Sequence, residues 1–203
     1  MARISYGYWF NNNILEWEEN MIKIIYAKRE EYLEAWKKML ELNRDEFRKD
    51  WRMKHVWPGR FNQLQTEVDN FCTIAYDGEI PVGVFGAILT KYNRVIGKQI
   101  VVSPTHRGKK IGQALIIANE RQIRDYTNVD NYTIVCLDST SKLYEKYWGL
   151  SPFKGPMKIH KDGEIEIPFE ASFNIDIRRN NFDKHYSDII SGRFDVIDPN
   201  KVD

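Results

Sequence analysis

A basic turn with two glycines stands between two apolar segments in the stretch VVSPTHRGKKIGQAL, residues 101–115. The apolar run before the turn is typical of a strand, and Pro104 cannot continue the hydrogen bonding of a sheet. After the turn, apolar residues recur at helical spacing over residues 111–126. The face of this helix that should meet the core carries Ile111, Leu115, Ala118 and Tyr126. The sequence therefore predicts a strand, a basic turn and a helix in direct succession.

The turn RGKKIGQ at residues 107–113 has the composition of an anion-binding site. The first amides of a helix have no partner within the helix and carry partial positive charge, so they attract phosphate groups. The two glycines leave room for a ligand at the backbone, while one arginine and two lysines add positive charge. A basic turn can also serve only to solvate the start of a helix, but the strand and helix on either side favour a pyrophosphate site.

Two common phosphate-binding motifs are missing from the sequence. It contains no G-x-x-x-x-G-K-[ST] segment, and no G-x-G-x-x-G follows a strand within a βαβ unit. Nucleoside triphosphate hydrolysis and dinucleotide redox chemistry are therefore disfavoured.

The segments on either side of the turn predict a mixed sheet with helices. Residues 21–27 are typical of a strand, and one or two aromatic-rich helices follow them. Two β-rich runs joined through Asp77 and Gly78 lead to a third run, which predicts an antiparallel meander. After the central helix, residues 132–138 form a continuous apolar run typical of a buried strand, and a second helix and a hairpin follow.

A chain of 203 residues suits one domain with terminal additions. We place the domain at residues 21–170, an N-terminal extension at 1–20, and a polar, weakly periodic C-terminal extension at 171–203. Such extensions order themselves when they dock on another surface, so we expect them to support a homo-oligomer or a larger assembly.

The basic turn resembles the acetyl-CoA loop of the GNAT superfamily of N-acyltransferases. In that family a strand ending in V-x-P is followed by R/Q-x-x-G-x-G/A, and here Val102 to Pro104 precede Arg107 to Gly112. Lys110 replaces the middle glycine, and we expect it to adopt ordinary helical dihedrals with its side chain directed outward. The order of elements over residues 21–170 also resembles this family. The resemblance implies an α/β (α+β) fold with a mainly antiparallel central sheet flanked by helices.

The resemblance also implies acetyl-CoA as cosubstrate. Carried over to this sequence, the strand backbone at Ile100, Val101 and Val102 lies along the pantetheine arm and polarises the thioester carbonyl. The residues that the resemblance assigns to the pyrophosphate are Arg107, Gly108, Lys109, Lys110, Gly112 and Gln113.

The segment SKLYEKYWGL resembles the closing helix of the family, in which the tyrosine of Y-x-x-x-G-F protonates the CoA sulfur. The resemblance gives this role to Tyr144, although it lies five residues before Gly149, where the family has four, and Leu150 replaces phenylalanine. Tyr147 is a competing candidate. Either tyrosine could instead pack its helix on the sheet, as aromatic residues commonly do.

No residue is singled out as the general base. Asp138 suits either a pantetheine contact or a strand-end cap, while Glu67 and Asp69 suit an amine site. The aromatic-rich helices between Tyr32 and Trp57 either border the acceptor pocket or form ordinary core. No metal site is predicted, because four histidines lack paired-ligand spacing: His55, His106, His160 and His185.

The charge balance disfavours nucleic-acid and membrane binding. Lys and Arg number 30 against 29 Asp and Glu, so the formal net charge is +1 and any anion site must be local. No segment approaches membrane-spanning length. Cys72 and Cys136 lie in apolar runs and are interpreted as buried thiols of a cytoplasmic protein.

These observations predict an N-acetyltransferase that moves an acetyl group from acetyl-CoA to a primary amine of a small molecule or protein by direct attack. The alternative is a GNAT-fold structural or interaction protein with little catalysis. Lys110, the irregular tyrosine spacing and the absence of a clear base favour the alternative, whereas the intact V-x-P-x-x-R-G loop favours the enzyme.

Overall fold

One open sheet organises the parts of the chain that the computed structural model describes, which are residues 21–49, 71–129, 131–137, 142, 151–152, 158–159, 165–172 and 176–201. Its strands within these ranges are β1 (Ile22–Ala27), β2 (Phe71–Asp77), β3 (Ile80–Leu89), β4 (Arg94–Val102), β5 (Asn131–Leu137), β6 (Ser151–Pro152), β7 (Lys158–Ile159), β8 (Ile165–Ser172) and β9 (Phe194–Ile197). The helices are α1 (Arg29–Leu42), α2 (Arg44–Lys49), α3 (Ile111–Tyr126) and α4 (Asp176–Ile190), and a 3-10 turn spans Pro104–His106.

The strand order is β6-β8-β5-β4-β3-β2-β1-β9, and β7 also pairs with β8. The β4–β5 and β1–β9 pairs are parallel, and the other pairs among the described residues are antiparallel. The predicted mainly antiparallel sheet flanked by helices is therefore confirmed, as is the meander of β2, β3 and β4. The β2–β3 turn passes through Gly78, whose φ of 58° suits glycine.

Helices cover both faces of the sheet because strand residues alternate in direction. On one face, Ile74, Val84 and Val101 pack with the buried side of α1. On the opposite face, Ala75 and Phe85 pack with α3. The sheet thus carries two apolar layers, and the end of β4 lies between them.

Helix α3 occupies the predicted range, and Ile111, Leu115 and Ala118 are buried as expected. Tyr126 was expected on the same face, and this expectation is wrong, because the side chain is 43% exposed. It lies in the last turn and donates a hydrogen bond to Asp198 at 2.7 Å. A partner outside the helix therefore overrides the apolar pattern at this position.

The segment expected to be a polar C-terminal extension contains α4 and β9. Strand β9 pairs in parallel with β1, and Phe182, Ile189 and Phe194 belong to the same apolar cluster as α3. These residues therefore share the sheet and core of the preceding part of the chain. The domain limits at residues 20 and 170 stay predictions, and residues 1–20 lie outside the described ranges.

Candidate functional site

Strands β4 and β5 separate part of the way along their length. They pair in parallel from Arg94 with Asn131 to Gly97 with Ile134. Beyond that point β4 stays paired with β3 up to Val102, and β5 stays paired with β8. Among the described residues 98–102 and 135–137, no pair joins β4 to β5. Over its last five residues, the backbone edge of β4 that faces β5 is therefore not used for pairing with the described residues of β5.

A β-bulge lies at the point where the two strands part. Gly86 pairs with Gln99 and Ala87 pairs with Gly97, which leaves Lys98 as the extra residue of β4. A Cβ atom added to Gly97 would lie 2.9 Å from Phe85 Cζ and 2.9 Å from the Tyr132 hydroxyl. Only glycine fits there, so close packing fixes the start of the opening.

The open end of β4 meets the start of α3. Val101 faces α1, whereas the half-buried Ile100 and Val102 pack against the layer that contains α3. A Cβ atom added to Gly112 would lie 3.4 Å from Ile100 Cδ1 and 3.6 Å from Val102 Cγ2. The structure thus brings together the strand predicted to bind the pantetheine arm and the helix start predicted to bind the pyrophosphate.

The turn between β4 and α3 is anchored at its base and exposed at its tip. Ser103 is 1% exposed, and its amide donates to the Val82 carbonyl at 2.8 Å. The Arg107 Nε donates to the Val102 carbonyl at 3.4 Å. Gly108 has a φ of 83° and open space where a side chain would stand. Together with Lys109 and Lys110, these exposed residues put positive charge beside the start of the helix.

Lys110 does not have the helical dihedrals that the sequence led us to expect. It is the N-cap of α3 with φ 65° and ψ 9°, in the left-handed region. The chain must turn from the exposed loop into the helix at this residue, and a left-handed residue makes that turn. An L-residue pays roughly 1–2 kcal/mol for this conformation, which explains why the family pattern has glycine there.

The first turn of α3 has no side-chain cap and no acidic residue. Its carbonyl-to-amide bonds begin with the Ala114 amide, which donates to the Lys110 carbonyl at 3.0 Å. The amides of Ile111, Gly112 and Gln113 precede that first bond. Of these residues, Gly112 lies against the side chains of Ile100 and Val102 in β4. A phosphate group would satisfy the three donors.

A series of hydrogen-bonded polar side chains runs beneath the turn, and no sequence pattern predicted it. The Ser103 hydroxyl donates to Asn43 Oδ1 at 3.0 Å and lies 2.9 Å from the Thr105 hydroxyl. The Thr105 hydroxyl lies 2.9 Å from His106 Nδ1, and His106 Nε2 lies 3.1 Å from Asp77 Oδ2. The end of α1, the 3-10 turn and the end of β2 are joined in this way.

The α1 side of the sheet is closed by aromatic residues. The rings of Tyr32 and Trp36 lie 5.8 Å apart, and both side chains are fully buried. Burial, with a further contribution from Cys72, raises the pKa of Tyr32, so its phenol stays neutral. Of the two interpretations of the aromatic helices, these two residues fit ordinary core.

Several predicted residues lie outside the described part of the chain: Tyr144, Tyr147, Asp138, Glu67, Asp69, His55 and His160. Within the described part, no group of three His, Cys, Asp or Glu side chains is placed to hold a metal ion. No helix among the described residues is long and apolar enough to cross a membrane.

This chain is similar to known proteins in sequence and in fold. The sequence from residue 36 to residue 150 matches the acetyltransferase (GNAT) family. The fold is similar to that of BjaI, a CoA-dependent acyl-homoserine lactone synthase solved with SAM and isopentyl-CoA. The TM-score is 0.62 at 12% identity, over 89% of this chain and 94% of BjaI. A GNAT-family acetyltransferase from Staphylococcus aureus Mu50 gives a TM-score of 0.52 at 18% identity, over 75% of this chain and 99% of that one. No curated protein matches the sequence.

Proposed function

Because the chain belongs to the acetyltransferase (GNAT) family, we propose that it moves an acetyl group from acetyl-CoA to a primary amine by direct attack. The amine nitrogen bonds to the carbonyl carbon, the carbon–sulfur bond breaks, and the departing sulfur takes a proton. This route requires no nucleophile from the enzyme.

The observation that carries the proposal is the meeting of an open strand edge with an uncapped helix start. The β4 backbone beyond Gly97 has donors and acceptors that β5 does not use. The first amides of α3 lie against the same strand through Gly112. An extended arm bearing a diphosphate would satisfy both sets of groups at once.

The charged side chains and backbone amides of this site suit acetyl-CoA. The backbone of Ile100 to Val102 would hold the pantetheine arm, and the amides of residues 108–113 would hold the pyrophosphate. Arg107, Lys109 and Lys110 would balance the phosphate charge. When bound, the cofactor supplies an activated acyl group as its thioester.

Two further roles complete the proposed reaction. The open backbone of β4 near the bulge would donate to the carbonyl oxygen as negative charge develops on it. Tyr144 would protonate the sulfur, with Tyr147 as the competing donor. The general base stays unassigned among Asp138, Glu67, Asp69 and water.

Thermal unfolding with acetyl-CoA, combined with thiol release in the presence of a panel of amines, tests this proposal. Cofactor at a hundredfold excess over its dissociation constant should stabilise the fold by about 2.7 kcal/mol. Stabilisation together with thiol release supports the enzyme. Stabilisation without turnover on any amine favours the interaction protein, and the absence of both effects rejects a CoA-dependent role.

The likeness to BjaI supports a second candidate function. It extends over 89% of the chain, beyond the residues that match the acetyltransferase family. The candidate is acyl transfer from a branched acyl-CoA to the amino group of SAM, which releases CoA. The SAM carboxylate then attacks the γ-carbon, the carbon–sulfonium bond breaks, and methylthioadenosine leaves, giving an acyl-homoserine lactone. Thiol release with isopentyl-CoA and SAM, compared with acetyl-CoA and simple amines, distinguishes the two functions. Faster release with the first pair would favour the synthase.

A further inference from the structure

The hydrogen bonds that link the side chains beneath the basic turn all run in one direction, which can be found by counting the available protons. This chain of hydrogen bonds starts at Asn43, where the Nδ2 donates to the Met39 carbonyl at 2.9 Å. This bond fixes the orientation of the amide, because a flipped group would turn its oxygen toward another oxygen. Asn43 Oδ1 is therefore an acceptor, and the Ser103 hydroxyl donates to it at 3.0 Å.

Each following bond must then point the same way. A hydroxyl has one proton, and that of Ser103 is committed to Asn43, so the Thr105 hydroxyl donates to Ser103 across 2.9 Å. The Thr105 proton is used in turn, so His106 Nδ1 must donate to Thr105 across 2.9 Å.

The last bond sets the charge of the ring. A carboxylate only accepts, so His106 Nε2 must donate to Asp77 Oδ2 across 3.1 Å. Both ring nitrogens therefore carry protons when every bond of the chain is made. A neutral ring would leave either the Thr105 end or the Asp77 end without its bond.

We propose that His106 is held as an imidazolium by this one-way chain and, with Ser103, positions the turn that presents Arg107 and Gly108 to the diphosphate. The inference rests on the proposed function, since it names residues that set the geometry of the same cofactor site. The role proposed for His106 is not a direct contact with the ligand. It is a positioning residue that acts through the turn.

The backbone around the turn explains how this positioning is transmitted. The His106 amide donates to the Ser103 carbonyl at 2.9 Å, and the Ser103 amide donates to Val82 of β3 at 2.8 Å. The 3-10 turn is thus tied to the sheet at one end and to Asp77 at the other, directly before Arg107. Loss of the ring bonds frees the second end, so the amides that follow are no longer held in one orientation.

Charged groups lie on both sides of the pair formed by His106 and Asp77. Asp77 faces the ring from the end of β2, and Arg107 follows it in the loop. Lys38 of α1 reaches the β2–β3 turn, where its Nζ donates to the Glu79 carbonyl at 3.3 Å. The carboxylate of Asp77 is the partner that balances the imidazolium charge.

The direction of the chain can be tested by ¹⁵N NMR of the imidazole ring at neutral pH. We expect both nitrogens of His106 to be protonated in the wild-type protein. In Asp77→Asn, the new amide can donate to Nε2, so a neutral ring protonated only at Nδ1 completes the chain. A wild-type ring with one bare nitrogen overturns the proposal.

The positioning role can be tested by calorimetric titration with CoA. His106→Phe removes both ring bonds and should weaken CoA binding about tenfold, or about 1.4 kcal/mol. Asp77→Asn keeps the chain complete and should bind CoA nearly as the wild type does. His185→Phe, a substitution on α4, is the matched control and should have no effect. Equal binding by His106→Phe and the wild type overturns the role.

A second variant and a second measurement distinguish a loss of positioning from a failure to fold and from a loss of catalysis. Thr105→Val has a similar shape, breaks the chain at an exposed residue, and should also weaken CoA binding if His106→Phe fails to fold. With saturating CoA, kcat should change little in either variant, because the loss lies in binding. If the wild-type protein bound no CoA, the proposed function would fail, while the ring spectra would still decide the direction of the chain.

Discussion

The carbonyl oxygen of Lys110 accepts the first hydrogen bond of α3 from the amide of Ala114 at 3.0 Å, while the backbone of Lys110 has left-handed dihedrals. Lys110→Gly should therefore raise the free energy of unfolding by about 1 kcal/mol. The strain of roughly 1–2 kcal/mol is removed, and part of the gain is offset by the greater freedom of glycine in the unfolded chain. Denaturant unfolding measures the change. Lys109→Gly removes the same charge at a residue without positive φ and should give no gain.

Gly112→Asp should weaken CoA binding by about 100-fold, or about 3 kcal/mol, without unfolding the protein. A carboxylate in the first turn of a helix is favourable to the helix itself but repels a phosphate. Gly112→Ala is the control, since its Cβ would lie 3.4 Å from Ile100 and can be accommodated. Titration calorimetry measures the affinity of both variants for CoA. Similar affinities would show that the phosphate does not bind at this site.

Tyr144→Phe should lower turnover by about 100-fold and leave the dissociation constant for CoA nearly unchanged, because a general acid acts only in the transition state. Thiol release with saturating acetyl-CoA measures turnover. The same substitution at Tyr147 tests the competing donor. Full activity in Tyr144→Phe, with a loss in Tyr147→Phe, would transfer the role to Tyr147.

Gly97→Ala should lower the free energy of unfolding by about 1–3 kcal/mol, because its Cβ would lie 2.9 Å from the Phe85 ring and the Tyr132 hydroxyl. Phe85→Leu removes one of these contacts, so the two losses should not add in the double variant. A double-mutant cycle by urea unfolding gives the coupling. Strict additivity would show that the contact is not present.

Asp198→Asn should speed hydrogen exchange of the β9 amides a few-fold, because it replaces the carboxylate that accepts from the Tyr126 hydroxyl and pairs with Lys201 by a neutral amide. Asp195→Asn, an exposed change on β9, is the control. Burial alone would raise the pKa of Asp198, but the hydrogen bonds from Tyr126 and the Asn200 amide, with the charge of Lys201, lower it overall. Since the folded value is the lower one, the contribution of Asp198 to stability is complete above the ordinary aspartate range. It is lost as the pH falls through the folded value.

The contribution of Lys201 to stability has the opposite pH dependence and is lost at high pH. Its hydrogen bond to Asp125 raises its pKa, against a smaller effect of burial. Its contribution is therefore present below the ordinary lysine value and is lost as the pH rises through the folded value. Protection of β9 should be greatest between these two limits, and protection that stayed constant from acid to alkali would contradict both assignments.

Sequence patterns predicted those helices and strands that are determined by residues within the element itself. The range of α3 follows from apolar spacing that starts at Ile111 and ends before Asn128. The meander follows from Asp77 and Gly78 between two β-rich runs. The basic turn indicated the family, which the match over residues 36–150 confirms.

The features that the sequence did not reveal depend on residues far apart in the chain. Tyr126 is exposed because its partner is Asp198, 72 positions later. Asn43 and Ser103 are separated by 60 positions, and neither residue type signals the contact. The dihedrals of Lys110 depend on where α3 forms its first bond, which apolar spacing does not specify.

The parallel pairing of β9 with β1 joins residues about 170 positions apart, such as Ile22 and Phe194. During synthesis, at about 5–20 residues per second, β1 leaves the ribosome on the order of 10–30 s before its outer neighbour exists. For that interval the growing polypeptide presents an unprotected row of amides and carbonyls, which is a template for pairing between nascent chains. Truncation before Phe194 would therefore leave β1 without this neighbour, and its amides and carbonyls would stay available for pairing with another chain.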